Sequence, residues 1–224
     1  MRLYIMRHGE TDSNREKRLQ GRVDNPLNEN GIKLAREVGR ALRDIRFSLW
    51  ITSPLKRAVQ TGEAVLSENK VSGNVPMEKD EGIIEISFGS WEGLGCGKDN
   101  FEIDCDNFSD FYKNPELVSF PKDAEKPSDV KKRTLEFLKR TVAREELKTK
   151  PGEPEKNVLV TTHGFAMRAL LNSLYEDPSD FWQGRVPANC AVNIVEADNS
   201  GNIRLLERDV IYYDKNEIKD YFRP

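Results

Sequence analysis

Short apolar runs alternate along the chain with longer segments in which apolar residues recur every three or four positions. The runs are typical of strands buried in a parallel sheet, and the recurring spacing is typical of helices with one apolar face. The predicted strands are 3–6, 49–52, 75–78, 158–162, 192–197 and 203–208. The predicted helices are 28–45, one that follows the second strand, 129–147 and 165–175, with a further helix expected over 101–113.

This order of elements predicts an α/β protein with three α/β/α layers around a mostly parallel sheet. The last two strands flank the polar run 198–202, which predicts a hairpin and therefore an antiparallel edge strand. Ser53 and Pro54 are expected to cap and open the helix after the second strand. Glycine is frequent over 82–97, so this segment is predicted to be a loop.

Composition restricts the possible partners and location. The chain has 224 residues, 33% of them charged, and a net charge of −3, so neither nucleic acid nor an anionic membrane is an expected partner. No apolar run approaches the roughly 20 residues that span a bilayer, and the apolar stretch after Met1 is too short for a signal peptide. The three cysteines lack CxxC spacing, which favours a reducing, cytoplasmic location over a disulfide framework.

The two histidines of the chain share one sequence context. His8 and His163 each come at the end of a predicted strand, and each is followed by a glycine. In open α/β sheets ligands bind beyond the carboxyl ends of the strands, and glycine lets the backbone approach a ligand closely. A single histidine is more often a packing residue, but two in the same context predict a functional pair.

Arginines near these positions indicate that the ligand is a phosphate. Arg7 precedes His8, and Arg57 lies in the first turns of the helix after the second strand. The guanidinium group presents paired donors that match phosphate oxygens, and helix N-termini add free N–H groups. A carboxyl group beside an aromatic wall can have a raised pKa and donate a proton, and both Glu85 and Glu92 are candidates.

Five groups of motifs together resemble the signature of the histidine phosphatase superfamily, the phosphoglycerate mutase-like clan. They are Arg7-His8-Gly9-Glu10-Thr11 with Asn14; Gln20-Gly21 and Asp24-Asn25-Pro26-Leu27 with Gly31; Ser53-Pro54-Leu55-Lys56-Arg57-Ala58-Val59-Gln60-Thr61; Glu85-Ile86-Ser87-Phe88-Gly89-Ser90-Trp91-Glu92-Gly93; and Val160-Thr161-Thr162-His163-Gly164. They span most of the chain in the family's order. The Glu85 motif also resembles the phosphatase branch, which includes broad-specificity and α-ribazole phosphatases.

The resemblance implies a role for each matching residue. His8 is implied to accept the phosphoryl group, and Glu85 to act as general acid and later as general base. Glu92 is implied to be structural, and Asn189 is expected to back the pocket. Cationic side chains take the place of a metal ion, so no metal or other cofactor is implied. The residues implied to bind phosphate or substrate are Arg7, Asn14, Gln20, Gly21, Arg57, His163 and Gly164.

An imidazole is nucleophilic when one ring nitrogen is free and the N–H of the other is held, and we expect the Gly9 carbonyl to accept that N–H from His8.

Mutases of the family return the phosphate to substrate, whereas phosphatases give it to water. Segment 88–110 contains six acidic residues, one lysine and no arginine, and would repel a bisphosphate. This favours a phosphomonoesterase acting on a small phosphorylated metabolite.

Three alternatives remain at this point. One is a phosphoglycerate mutase-type phosphotransferase, and another is a non-catalytic module that binds a phospho-ligand. The third is a zinc site built from the two histidines and carboxylates. The chain is expected to form one domain over 1–224, with a variable cap-like insertion around 94–127 whose acidity suggests a substrate with a neutral or cationic body. The aromatic residues Tyr212, Tyr213, Tyr221 and Phe222 are expected to pack on the domain or on a partner.

Overall fold

A computed structural model describes residues 1–218, within which eleven strands and α-helices are assigned. The strands are β1 (Arg2–Arg7), β2 (Phe47–Thr52), β3 (Met77–Lys79), β4 (Asn157–Thr162), β5 (Val192–Ala197) and β6 (Ile203–Val210). The helices are α1 (Asp12–Arg15), α2 (Glu29–Ala41), α3 (Lys56–Ser67), α4 (Pro127–Val142) and α5 (Gly164–Leu171). Six strands and four of these helices were predicted from the sequence, with bounds that differ by a few residues.

One six-stranded sheet has the order β3-β2-β4-β1-β5-β6. Strands β3, β2, β4 and β1 are parallel, while β5 pairs antiparallel with β1 and β6 antiparallel with β5. The predicted mostly parallel sheet with its antiparallel pairing at one edge is therefore confirmed. In the central pair β1–β4, Arg7 lies opposite Thr162. The residues that follow, His8 and His163, consequently leave the sheet side by side.

Apolar side chains cover both faces of the sheet and make three layers. Helices α2 and α3 pack on one face, where Leu34, Val38 and Val65 join the core. Helices α4 and α5 pack on the other face through residues that include Phe137 and Met167. The predicted α/β/α layering is therefore confirmed, and it follows from the single apolar stripe on each helix.

Two helix predictions need correction, and one short helix was missed. The helix after β2 begins at Lys56 with Leu55 at its N-cap position, so Ser53 lies two residues too early to cap it; the Ser53 hydroxyl is 2.7 Å from a ring nitrogen of His163. No α-helix forms over 101–113, where the chain makes a 3₁₀ helix at Phe108–Tyr112. Helix α1 was missed because it has only four residues, although Thr11 and Asn14 form a capping box at its start.

Segment 94–127 lies beside this core and is built mainly of turns. It contains 3₁₀ helices at Phe108–Tyr112 and Pro115–Leu117, and its aromatic rings cluster with side chains of α5 and of the loop before β5. Tyr213 is buried, and its hydroxyl donates a hydrogen bond to the Asn189 carbonyl at 2.7 Å, so this aromatic packs on the protein itself. Tyr221 and Phe222 lie outside the described residues.

Candidate active site

His8 is held at the end of β1 by main-chain hydrogen bonds. Its backbone N–H donates to the Thr162 carbonyl at 2.8 Å, and its ring Nδ1 lies 2.7 Å from the Gly9 carbonyl oxygen. Because a carbonyl oxygen only accepts, Nδ1 must carry the proton, which leaves a lone pair on Nε2. The predicted role of the Gly9 carbonyl agrees with this geometry. His8 thus has the tautomer that a nitrogen nucleophile needs.

Glycine at position 9 is required by a close approach of two backbones. A Cβ at Gly9 would lie 2.6 Å from the Gly31 carbonyl oxygen, in the first turns of α2. A Cβ at Gly31 would in turn lie 2.2 Å from the Glu10 carbonyl oxygen. The segment after β1 therefore packs directly against α2. This contact fixes the carbonyl that orients the His8 ring.

His163 lies beside His8, with 5.3 Å between the ring centroids, and its side chain is fully buried. Arg57 Nε donates to His163 Nδ1 at 3.2 Å, and His163 Nε2 lies 2.7 Å from the Ser53 hydroxyl. Since arginine only donates, Nδ1 accepts and Nε2 carries the proton. His163 is thus a neutral ring that links Arg57 to the end of β2.

Both rings are poised to stay neutral at pH 7. Burial, followed by the charges of Arg57 and Arg7, lowers the pKa of His8 well below its usual value, against the opposing effect of the Gly9 carbonyl. Burial, followed by the charge of Arg57 and by His8, lowers the pKa of His163 in the same way. A neutral imidazole is the nucleophilic form, so these environments keep both rings in the form that a nitrogen nucleophile needs.

Two buried arginines lie next to the histidines. Arg57 donates to the carbonyls of Gly21 at 2.6 Å and Val23 at 2.7 Å, and Arg7 donates to the Pro187 carbonyl. Of the five N–H groups on each guanidinium, Arg57 uses three and Arg7 uses one within residues 1–218. Burial lowers the pKa of Arg57 to about 10, so it remains charged at pH 7. The unused donors suit phosphate oxygens.

Glu85 is buried, and α5 anchors its carboxylate. Its Oε1 accepts from the backbone N–H groups of Ala166 at 2.9 Å and Ile86 at 3.1 Å, and its Oε2 accepts from that of Phe165 at 3.3 Å. Two of these donors belong to the first turn of α5, where the helix dipole favours negative charge. Glu85 shares a cavity with His8, Arg7 and Arg57.

Glu92 has a different environment, although the sequence made it an equal candidate. Its Oε1 accepts from the backbone N–H groups of Arg22 and Phe88, both at 3.0 Å, and from the Ser87 hydroxyl at 3.3 Å. A Cβ at Gly21, whose φ is +52°, would collide with this side chain. Glu92 joins two loops and is absent from the cavity wall in the described chain.

A small amide network completes the polar end of the cavity. Asn14 Oδ1 accepts from the Thr11 N–H and from Asn189 Nδ2, each at 3.2 Å, while Gln20 Oε1 accepts from the Thr11 hydroxyl at 2.9 Å. Both carboxamide oxygens are therefore used, and the NH₂ groups of Asn14 and Gln20 keep donors for an anion. Asn189 also donates to the His8 carbonyl at 3.1 Å, which is the backing role expected for it.

The family model described as the histidine phosphatase superfamily (branch 1) matches residues 3–209. The chain belongs to this superfamily. The match extends from β1 almost to the end of β6, so it includes both histidines, both arginines and Glu85.

Relatives of this histidine phosphatase are themselves described as phosphatases. The uncharacterized phosphatase PhoE of Bacillus subtilis is 30% identical over 89% of this chain and 91% of its own length. A broad-specificity phosphatase of Saccharomyces cerevisiae is 32% identical over 79% of this chain and 72% of its own. The solved structure of YhfR from Bacillus stearothermophilus is 33% identical, with a TM-score of 0.80 over 94% of this chain and 98% of that one. The chain is accordingly a phosphomonoester hydrolase.

The cavity of this phosphatase has a polar end and an aromatic wall, and encloses about 500 Å³ with its open mouth. The residues predicted to bind phosphate line its polar end, except His163, which lies behind Arg57. The sequence indicated an aromatic wall beside the candidate acid but not the rings that other segments add to it, for which the pair Phe181-Trp182 in a polar loop was the available signal. The missed lining residues are Arg18, Leu19, Phe88, Phe111, Phe165, Trp182 and Val186.

Three further observations concern the zinc alternative, the acidic residues of segment 94–127 and the membrane. In residues 1–218 no group of three or more His, Cys, Asp or Glu side chains is arranged to hold a metal ion. None of the acidic residues of segment 94–127 lines the cavity; Glu102, for example, pairs with Arg18 at 3.1 Å. These acids therefore do not contact a substrate in the cavity directly, and the neutral or cationic body of the substrate stays a prediction. Over the described helices, none is both long and apolar enough to cross a bilayer.

Proposed function

We propose that the enzyme hydrolyses the phosphate monoester of a small metabolite through a phosphohistidine on His8. The observation that carries the proposal is the tautomer of His8, whose Nδ1 is committed to the Gly9 carbonyl at 2.7 Å. The lone pair on Nε2 has no hydrogen-bond partner among residues 1–218, and His8 forms part of the cavity wall. A neutral, oriented imidazole beside two guanidinium groups is suited to attack phosphorus.

The first chemical step moves the phosphoryl group to the enzyme. His8 Nε2 attacks phosphorus, the bond between phosphorus and the ester oxygen breaks, and protonated Glu85 gives its proton to that leaving oxygen. Arg7 and Arg57 donate to the equatorial oxygens and stabilise the charge that spreads over them. The two arginines approach from different elements, since Arg7 ends β1 and Arg57 lies in the first turn of α3.

The second step releases phosphate into water. Glu85, now a carboxylate, accepts a proton from a water molecule as the oxygen of that water attacks phosphorus. The bond between phosphorus and Nε2 breaks, and its electron pair returns to the imidazole ring. Glu85 thereby regains the proton that it donated in the first step. The first turn of α5 holds this one carboxyl group in place for both transfers.

Remaining polar residues are assigned to binding. The NH₂ groups of Asn14 and Gln20 donate to phosphate oxygens, and the Gly21 and Gly164 backbones allow close approach. His163 lies behind Arg57 and accepts from its Nε, so it acts on the phosphate through Arg57. The wall formed by Phe88, Phe111, Phe165 and Trp182 holds the organic part of the substrate.

Domain organisation and location are also proposals. Residues 1–224 are taken as one domain, and segment 94–127 is the cap segment of the cavity, to which it supplies Phe111. A net charge of −3 supports a small-molecule substrate over nucleic acid. The free thiols of Cys96, Cys105 and Cys190 support a reducing cytoplasm, which cell fractionation with thiol titration would test.

Rapid quenching with a radiolabelled aryl phosphate tests the mechanism. We expect an acid-labile, alkali-stable label on His8 and free phosphate without any bisphosphate primer. His8→Asn should lose the label and at least about 10⁴-fold in turnover, because the nucleophile is gone. It should still bind inorganic phosphate weakly, and chelator-treated wild-type enzyme should stay active. Label retained in His8→Asn, or strict dependence on a bisphosphate, would contradict the proposal.

A further inference from the structure

Arg133, on α4, contacts the main chain that carries Glu85. Its NH1 donates to the carbonyls of Gly82 at 3.0 Å and Ile84 at 2.7 Å, and its NH2 donates to the Glu85 carbonyl at 3.2 Å. The Arg133 side chain is only 19% exposed. One guanidinium therefore binds three carbonyls within four residues of chain. No sequence motif in the candidate site included this arginine.

Glu125 holds the guanidinium of Arg133 in place. Arg133 Nε and NH2 donate to the two carboxylate oxygens of Glu125 at 2.8 and 2.9 Å, a bidentate pair. Burial raises the pKa of Glu125, but the hydrogen bonds and charge of Arg133 outweigh it and the pKa is lowered. The Glu125 backbone N–H also donates to the Ser87 carbonyl at 2.9 Å. Glu125 is thus a charged anchor beside the Glu85 loop.

Arg22, in the loop after α1, also contacts both Glu125 and the Glu85 main chain. Its NH2 donates to Glu125 at 3.1 Å, and its Nε donates to the Glu85 carbonyl at 3.4 Å. The Glu85 main chain is accordingly fixed by two guanidinium groups that share one carboxylate. The far end of the Glu85 side chain is fixed by the first turn of α5. With both ends held, few positions remain for the carboxyl group.

We propose that Arg133, held by Glu125, positions Glu85 for proton transfer to the leaving oxygen. The inference rests on the proposed function, in which Glu85 is the acid. Arg133 touches the Glu85 carbonyl and not its carboxylate, so it acts through placement of the main chain. Displacement of a proton donor by about 1 Å costs as much as 10²-fold in rate.

Leaving-group dependence separates a positioning role from a structural one. p-Nitrophenyl phosphate has a leaving group that departs without protonation, whereas benzyl phosphate, of similar shape, requires the acid. For Arg133→Met we expect kcat/KM with benzyl phosphate to fall about 30–100-fold and with p-nitrophenyl phosphate no more than about threefold. Arg133→Lys should show a partial selective loss, since an ammonium group does not bind three carbonyls and a carboxylate together.

Arg144→Met is the matched control, because Arg144 makes a similar bidentate pair with Glu78, at 2.7 and 3.0 Å, away from residues 82–85. It should affect both substrates equally and by less than about twofold. Equal losses on both substrates in Arg133→Met would overturn the positioning role. If Arg133→Met does not fold, as judged by thermal melting, Arg133→Lys and Glu125→Gln carry the test, and selective loss is required in each.

Glu85→Gln, run in the same assays, keeps the two proposals distinguishable. A selective loss with benzyl phosphate in Glu85→Gln supports the acid role of Glu85 independently of Arg133. If Glu85→Gln shows no selectivity, the proposed function is wrong at that residue. If Glu85→Gln is selective and Arg133→Met is not, only the positioning role of Arg133 fails.

Discussion

The two ends of the cavity are built by different kinds of interaction. At the polar end, where phosphate is proposed to bind and which is called the phosphate end below, directional hydrogen bonds to main-chain carbonyls hold His8, Arg7 and Arg57. At the other end, aromatic rings pack on one another, with 5.3 Å between the centroids of Phe111 and Trp182 and 5.9 Å between those of Phe88 and Phe111. Hydrogen bonds specify position and angle, whereas ring packing specifies mainly volume. Substitutions should therefore lower activity strongly at the end with the hydrogen bonds and weakly at the aromatic end.

Among the substitutions that compare the two ends, the largest effect is expected for Arg57→Lys. Lysine offers no planar fork to contact Gly21, Val23, His163 and phosphate together, so charge stabilisation in the transition state is lost. We expect kcat/KM to fall about 10²–10³-fold and inhibition by inorganic phosphate to weaken. Steady-state kinetics measures both. Lys56→Met, which removes an exposed neighbouring charge, should change neither by more than about twofold.

The buried, neutral His163 should make the free energy of unfolding depend on pH. The pKa of His163 in the folded protein lies below its unfolded value of about 6.5, so the unfolded chain binds more protons below that pH. The contribution of neutral His163 to the free energy of unfolding is complete above about pH 7. It decreases as pH falls, by at most about 1.4 kcal/mol per pH unit. Urea unfolding should give the free energy of unfolding of wild type and His163→Gln at each pH. Below pH 6.5 this free energy should fall more steeply with decreasing pH in wild type than in His163→Gln. Equal slopes would mean that His163 titrates normally when folded.

The smallest effect is expected for Phe111→Leu in the cap segment. Leucine keeps much of the apolar volume but loses the ring contacts, so kcat/KM for an aryl phosphate should fall about 2–5-fold. Inhibition by inorganic phosphate should not change, because the phosphate end is intact. Tyr112→Leu is the control, since Tyr112 is the next residue and does not line the cavity. A loss as large as that of Arg57→Lys would contradict the contrast between the two ends.

The sequence by itself determined the layered sheet and the phosphate end. Apolar runs and helical spacing depend on neighbours a few residues apart, so β1, β4 and their terminal histidines were visible in the pattern. The tautomer of His8 was also predictable, because its partner is the adjacent Gly9. Ser53, by contrast, lies where the sequence predicts a helix cap, but its hydroxyl contacts His163, 110 positions along the chain.

Only the tertiary structure decided the rest of the site. The choice between Glu85 and Glu92 depends on which carboxylate reaches the first turn of α5, about 80 residues away in sequence. The aromatic wall combines Phe88, Phe111 and Trp182 from three separate loops. The hydrogen bond from Arg133 to the Glu85 carbonyl joins α4 to the loop that carries Glu85. Such contacts carry no periodic signal, because side-chain packing and long-range hydrogen bonds depend on where the elements meet in space.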